Sequence, residues 1–182
     1  GKVYAGYNES PAFWEKGSKP KPINWYAGKQ YDDCFQAAHE VLDNFEQQFP
    51  HWKGRGYEIT GFGWWQGDKD MRNAAHFETY EKNLIQLIKA LRKDFNAPNA
   101  KFVTASLGQT KKGSQGGDGK ILEAMEAVAN SEDPELEGKV AFVYTNPLSK
   151  GGSSSGHYSG NPETYMNVGE AMGKAMVELL VE

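Results

Sequence analysis

Two short segments hold the side chains best suited to chemistry. In Gln66-Gly67 a side-chain amide stands beside a backbone N–H on a flexible residue. Donors presented together in this way can bind a developing oxyanion. Asp68 and Asp70 follow directly. Acids there favour a helix start or hold a catalytic group in place. They do not read as a metal site, because no third carboxylate or histidine lies near them in sequence. The second segment is Gly156-His157-Tyr158, within a Gly/Ser-rich stretch ahead of a helical pattern. An imidazole titrates near neutrality, so a histidine held at a cleft is a ready general base. Trp64 and Trp65 precede Gln66. Neighbours on a strand face opposite ways, so one tryptophan is expected in the core and the other along a cleft. His39, His51 and His76 fall mid-helix, after a proline and early in a helix, and are expected to be structural or solvated.

A nucleophile is harder to find. Gly152-Ser153-Ser154-Ser155-Gly156 matches G-x-S-x-G formally, but that elbow needs a strand directly before it and a helix directly after. Here a loop with Pro147 precedes and His157 follows at once. Gly113 to Gly119 lacks the G-K-[ST] ending of a phosphate loop and reads as mobile surface. The single cysteine, Cys34, excludes an internal disulfide and a thiolate zinc site. It lies in an amphipathic stretch and is expected to be a small core residue.

The elements that must carry these segments alternate. Apolar residues from Cys34 to Phe49 recur at three and four positions and predict a helix from about Gln30 until Pro50. Tyr57 to Trp65 reads as a strand. Phe77, Tyr80, Leu84, Leu87, Ile88, Leu91 and Phe95 form one stripe of a helix from about Ala74 to Phe95. Lys101 to Leu107 is the next strand, Lys120 to Asn130 a helix, and Lys139 to Tyr144 a third strand. Asn161-Pro162 opens a last helix that runs to about Val181. Residues 1–28 show no period and read as an irregular arm with three prolines and several aromatics. Such alternation implies an α/β domain with a parallel sheet covered on both faces. In an open sheet of this kind the site lies at the carboxyl ends of the strands. Gln66-Gly67, Leu107-Gly108-Gln109 and Thr145-Asn146 are those ends.

The chain has 182 residues, enough for one domain with a core of its own. Its 20 basic and 24 acidic residues are scattered and give a net charge of −4. This mild acidity argues against a nucleic-acid or membrane-surface partner. No apolar run reaches membrane-spanning length. Five tryptophans are many for this size and hint at sugar-facing surfaces.

The block from Gly61 to Asp70, with Trp64-Trp65-Gln66-Gly67-Asp68-Lys69-Asp70 at its centre, resembles the W-x-Q-G-E-x-D block of sialate O-acetylesterase-like carbohydrate esterases. These are members of the SGNH hydrolase superfamily. Gly156-His157-Tyr158-Ser159-Gly160-Asn161-Pro162, with Gly169 to Met176, is similar to the family's final block, where a histidine precedes the last helix. Tyr80-Glu81-Lys82-Asn83-Leu84 also fits. The resemblance implies a three-layer α/β/α fold and an esterase that removes acetyl groups from a saccharide without a metal or organic cofactor. It implies His157 as general base, Gln66 and Gly67 in the oxyanion block, and Trp64, Trp65 and Tyr158 along the substrate cleft. A secreted or periplasmic setting is suggested by the family alone.

Two departures stand out. The family's nucleophile block, of Gly-x-Ser-Asn or Gly-Asp-Ser type at the end of the first strand, has no counterpart here. The expected arrangement is therefore the C-terminal portion of a longer esterase, with the serine on an upstream segment or a separate chain. The position three residues before His157, where the family carries aspartate, is Ser154, so either another group such as Asp68 or Asp70 orients His157 or the site is a dyad. Two further readings stay open: a non-catalytic carbohydrate-binding module, and one half of a two-chain assembly.

Overall fold

A computed structural model describes residues 28–181. Contacts divide the chain into two compact units, Gly1–Ile59 and Thr60–Glu182. Nearly all of the irregular arm expected over residues 1–29 lies outside the described residues.

In the first unit the helix expected from Gln30 to Phe49 is interrupted. It forms α1 (Lys29–Leu42) and a single turn, α2 (Phe45–Gln48). Asn44 causes the break, because its side-chain amide donates to the Glu40 carbonyl at 2.8 Å and takes the place of a continuing backbone bond. Cys34 is exposed, contrary to the core position expected of it. The reason is general to the helix: α1 buries none of its residues.

The second unit is built on three parallel strands, β1 (Gly61–Trp64), β2 (Lys101–Ala105) and β3 (Val140–Val143), in the spatial order β1-β2-β3. Gly61 is opposite Lys101, and Phe102 is opposite Val140. The first strand is shorter than the expected Tyr57–Trp65 because its ladder begins only where Lys101 arrives to donate to the Thr60 carbonyl. Helices cover both faces of the sheet, so this is the expected α/β fold.

The pleat decides which helix goes where. Phe62 and Trp64 point to one face. Phe62 meets Phe95, and Trp64 reaches Tyr80, at the two ends of α4 (Tyr80–Asp94). Gly61 and Gly63 point to the other face, where Met176 and Met172 of the long C-terminal helix lie above them. A side chain at Gly61 would collide with Met176, so glycine lets that helix close on β1.

The helix expected from Ala74 to Phe95 is also divided. A short α3 (Ala74–Phe77) is capped by Asn73, whose side chain accepts the Ala75 N–H at 3.1 Å. Thr79 then turns its hydroxyl back onto the carbonyls of Ala75 and His76 and separates α3 from α4. After β2 comes α5 (Gly117–Ala129), and after β3 the last helix, α6 (Pro162–Val181), starts at the expected proline. Ile88 of α4, Phe102 of β2, and Ile121, Met125 and Val128 of α5 are buried together on the α4/α5 side. No described helix is long and apolar enough to cross a membrane.

The glycine-rich segment before α5 is more than the mobile surface expected of it. A side chain at Gly117 would strike the backbone carbonyl of Met71, and one at Gly119 the carbonyl of Ser114. Gly117 lets the start of α5 pack against the loop that follows β1, and Gly119 lets the helix close on its own lead-in at Ser114. Forcing a methyl group into such a contact costs about 1–3 kcal/mol. Gly117→Ala is therefore expected to lower stability by roughly that amount, measured by urea unfolding. An unchanged midpoint would show that the loop yields freely.

Candidate active site

The Gln66 and histidine segments meet at the carboxyl ends of the strands. After Trp64 the chain leaves β1, and Gly67 takes a φ of 156°, which favours glycine. A side chain there would also press on Ile121. This turn delivers Gln66, Asp68 and Asp70 above the sheet edge.

The two tryptophans do face opposite ways, and both are half-buried. Trp64 donates from Nε1 to the Tyr80 hydroxyl at 3.1 Å, and that hydroxyl donates to the Gln66 carbonyl at 2.7 Å. Tyr80 thus fixes the Gln66 backbone from below. Burial pushes its phenol well above the ordinary tyrosine range; the Trp64 bond opposes this and the Asp70 charge adds to it. Trp65 donates to the Ser106 carbonyl at 2.9 Å. Its indole stacks on Tyr158, with ring centres 5.4 Å apart and planes within 10°. Tyr165 of α6 meets both rings edge-on, at 5.7 and 6.0 Å.

The side-chain amide of Gln66 is also held, since Nε2 donates to Asp70 Oδ2 at 2.7 Å. Among the described residues the second N–H of this amide has no acceptor and can serve another. The other oxygen of Asp70 lies 3.9 Å from Nδ1 of His76, which is buried. Asp70 therefore orients Gln66. Asp68 is turned elsewhere. One of its oxygens accepts from Arg72 at 2.9 Å and the other from the Ser154 hydroxyl at 2.7 Å. Neither carboxylate makes a hydrogen bond or ion pair with the His157 imidazole among the described residues.

His157 is exposed, on a compact double turn from Ser154 to Gly160. His157, Tyr158 and Ser159 all have left-handed backbone, with φ of 50°, 49° and 53°. For residues with a Cβ this costs roughly 1–2 kcal/mol each, and it persists only where the surroundings over-determine it. Tyr158 supplies much of that constraint. It is buried, stacks on Trp65, and its hydroxyl accepts the Gly108 N–H at 3.0 Å. Burial raises its phenol, the Gly108 bond lowers it, and Tyr165 and Asp68 push it up again. The Tyr165 hydroxyl donates to the His157 carbonyl at 3.0 Å, and Ser159 donates to the Gly151 carbonyl at 2.9 Å.

Three contributors were not singled out from the sequence. Gln109, at the end of β2, grips Ser154 with both ends of its amide. Tyr165 and Arg72 are the others. Gln109 and Tyr165 act through contacts between distant segments, which periodicity cannot find, and Arg72 acts on Asp68 four residues away in a stretch with no apolar period. Ser154 was visible as the central serine of the formal G-x-S-x-G match and as the residue standing where an acid was expected.

A parallel sheet with a histidine turn and an amide-bearing turn joined above its carboxyl ends is the α/β arrangement expected from the sequence. The chain belongs to the carbohydrate esterase family of sialic acid-specific acetylesterases, whose model matches residues 12–178. It is thus a member of a family of carbohydrate-ester hydrolases. No curated protein and no solved structure matches it.

The raised Tyr80 phenol gives a signed pH dependence. Above about pH 10 the unfolded chain releases this proton while the fold retains it. The folded state then binds more protons, so stability declines as pH rises. Urea unfolding from pH 8 to about 11 is expected to show that decline, and Tyr80→Phe to flatten it. An equal decline in the variant would remove Tyr80 as its source.

Proposed function

We propose that this chain carries the histidine and oxyanion parts of a serine esterase that hydrolyses O-acetyl groups on a saccharide. The observation that carries the reading is the joining of the Gln66 and His157 turns, through the Trp65–Tyr158 stack and the Asp68–Ser154 bond. It brings an amide donor and an imidazole to one end of the sheet, as acyl transfer requires.

In this proposal a serine outside residues 28–181 attacks the acetyl carbonyl. The segment that bears it is upstream in a longer protein or is a separate chain. Support comes from β1, whose outer edge pairs with no strand among the described residues. A further parallel strand there would deliver its carboxyl end beside Gln66. His157 takes the serine proton and passes it to the departing sugar hydroxyl. It then takes a proton from water, which attacks the acyl-enzyme, and returns that proton to the serine oxygen as acetate leaves. The free N–H of Gln66, with the Gly67 backbone N–H, stabilises the oxyanion at both tetrahedral stages. Trp65 forms the aromatic wall of the cleft, backed by the buried Tyr158. None of these steps calls on a cofactor.

A second reading also has support. Tyr165 is 42% exposed beside a histidine whose imidazole has no acid partner among the described residues, as would suit a module that binds acetylated sugar without cleaving it.

Assays of an acetylated saccharide, with this chain and with the chain extended by a serine-bearing segment, test the proposal. The chain alone is expected to be nearly inactive and the extended one active. In the active form His157→Ala is expected to lower kcat by roughly 10,000-fold or more, and Gln66→Ala by about 100- to 1,000-fold. Full activity in the His157→Ala enzyme would contradict the base assignment. Saccharide binding that survives this change, with no hydrolysis in any form, would favour the second reading.

A further inference from the structure

Ser154 lies three residues before His157, and neighbouring side chains engage both its hydroxyl and its backbone N–H. Its hydroxyl donates to Asp68 at 2.7 Å and accepts from Gln109 Nε2 at 2.9 Å. Its backbone N–H donates to Gln109 Oε1 at 3.0 Å. The polarity runs one way, from amide N–H to hydroxyl oxygen and from hydroxyl proton to carboxylate. A hydrogen bond onto an ionised acid is among the stronger kinds. Arg72 holds the second Asp68 oxygen and fixes the carboxylate's rotation.

One residue after His157 comes the second anchor, Tyr158, tied to Gly108 and Trp65. His157 therefore sits between two fixed points. Ser154 is joined to the ends of β1 and β2 through Asp68 and Gln109, and Tyr158 is joined to those same ends through Trp65 and Gly108. A left-handed run at an exposed histidine needs restraint from both sides. Without the first anchor, the turn is held by Tyr158 and by the Tyr165 bond to the His157 carbonyl, with no side-chain tie ahead of the histidine among these.

We infer that Asp68 is the positioning acid for His157, acting on the histidine turn through the hydroxyl of Ser154 rather than on the imidazole directly. Asp70 has a different task, since its carboxylate receives the Gln66 amide. The two acids of the β1 loop thus serve the two halves of the site separately. The inference rests on the reading of His157 as general base for its consequence in catalysis, and on the hydrogen bonds alone for its consequence in the turn.

The test has two arms. In the chain as it stands, amide hydrogen exchange is measured across Gly156 to Ser159. Ser154→Ala and Asp68→Asn are expected to speed exchange there and leave β2, β3 and α6 protected. Ser154→Thr, which keeps the hydroxyl, is expected to behave like the wild type. In the serine-completed esterase, Ser154→Ala and Asp68→Asn are expected to lower kcat by about 100-fold with KM little changed, and Ser154→Thr to restore most of the rate. Wild-type exchange and wild-type kcat in both disruptive variants would overturn the inference. So would equal losses in Ser154→Ala and Ser154→Thr. If Ser154→Ala loses protection throughout the sheet, the near-isosteric Asp68→Asn decides alone. An active His157→Ala enzyme would refute the base reading instead, and the exchange arm would still judge the link between Asp68 and the turn.

Discussion

The site depends on the restraint of three consecutive left-handed residues, His157 to Ser159. A chain left to itself does not hold such a run, because each Cβ crowds the following carbonyl. Here the run is held by contacts on both sides. Tyr158 is buried against Trp65 and bonded to Gly108, and Ser154 is clamped by Asp68 and Gln109. Every one of these partners lies at the carboxyl end of β1 or β2. The strained turn and the sheet edge therefore form one mechanical unit, and the histidine's place follows from the strand ends.

The sheet itself is arranged to permit this. Glycines at 61 and 63 let α6 lie close over β1, which brings Tyr165 within reach of the His157 carbonyl. Gly117 lets the start of α5 settle against Met71, in the loop that carries Asp68 and Asp70. On the opposite face Tyr80 fixes the Gln66 backbone from within the core. Small residues bring the helices in, and aromatic hydroxyls then tie the loops to them. Exposed or half-buried polar residues do the positioning, while the apolar core supplies the rigid base they need.

Much of this was legible in the sequence because it is periodic or local. The stripe from Tyr80 to Leu91, the order of strands and helices, and the Asn161-Pro162 opening of α6 all follow from spacing and capping chemistry. The breaks at Asn44 and Thr79 were not seen, since the apolar stripe runs on through both while one side-chain bond diverts the backbone. Cys34 shows that an amphipathic stripe marks a face without guaranteeing that anything covers it. At the site, Gln66, Asp68 and His157 stood out by residue type. Which acid serves which group was hidden, because it depends on contacts such as Asp68–Ser154 that join residues far apart in the chain. Family membership, carried by residues 12–178, agrees with the blocks around Gln66 and His157.

The central claim is that the Gln66 and His157 turns form one rigid site through the strained segment between them. Nuclear Overhauser spectroscopy on the isotope-labelled chain tests it most directly. The account predicts strong intraresidue amide-to-α-proton contacts at His157, Tyr158 and Ser159, which mark left-handed backbone, together with contacts between the Trp65 indole and the Tyr158 ring. Ordinary extended or helical intensities at those three residues, with no contact between the two rings, would contradict it.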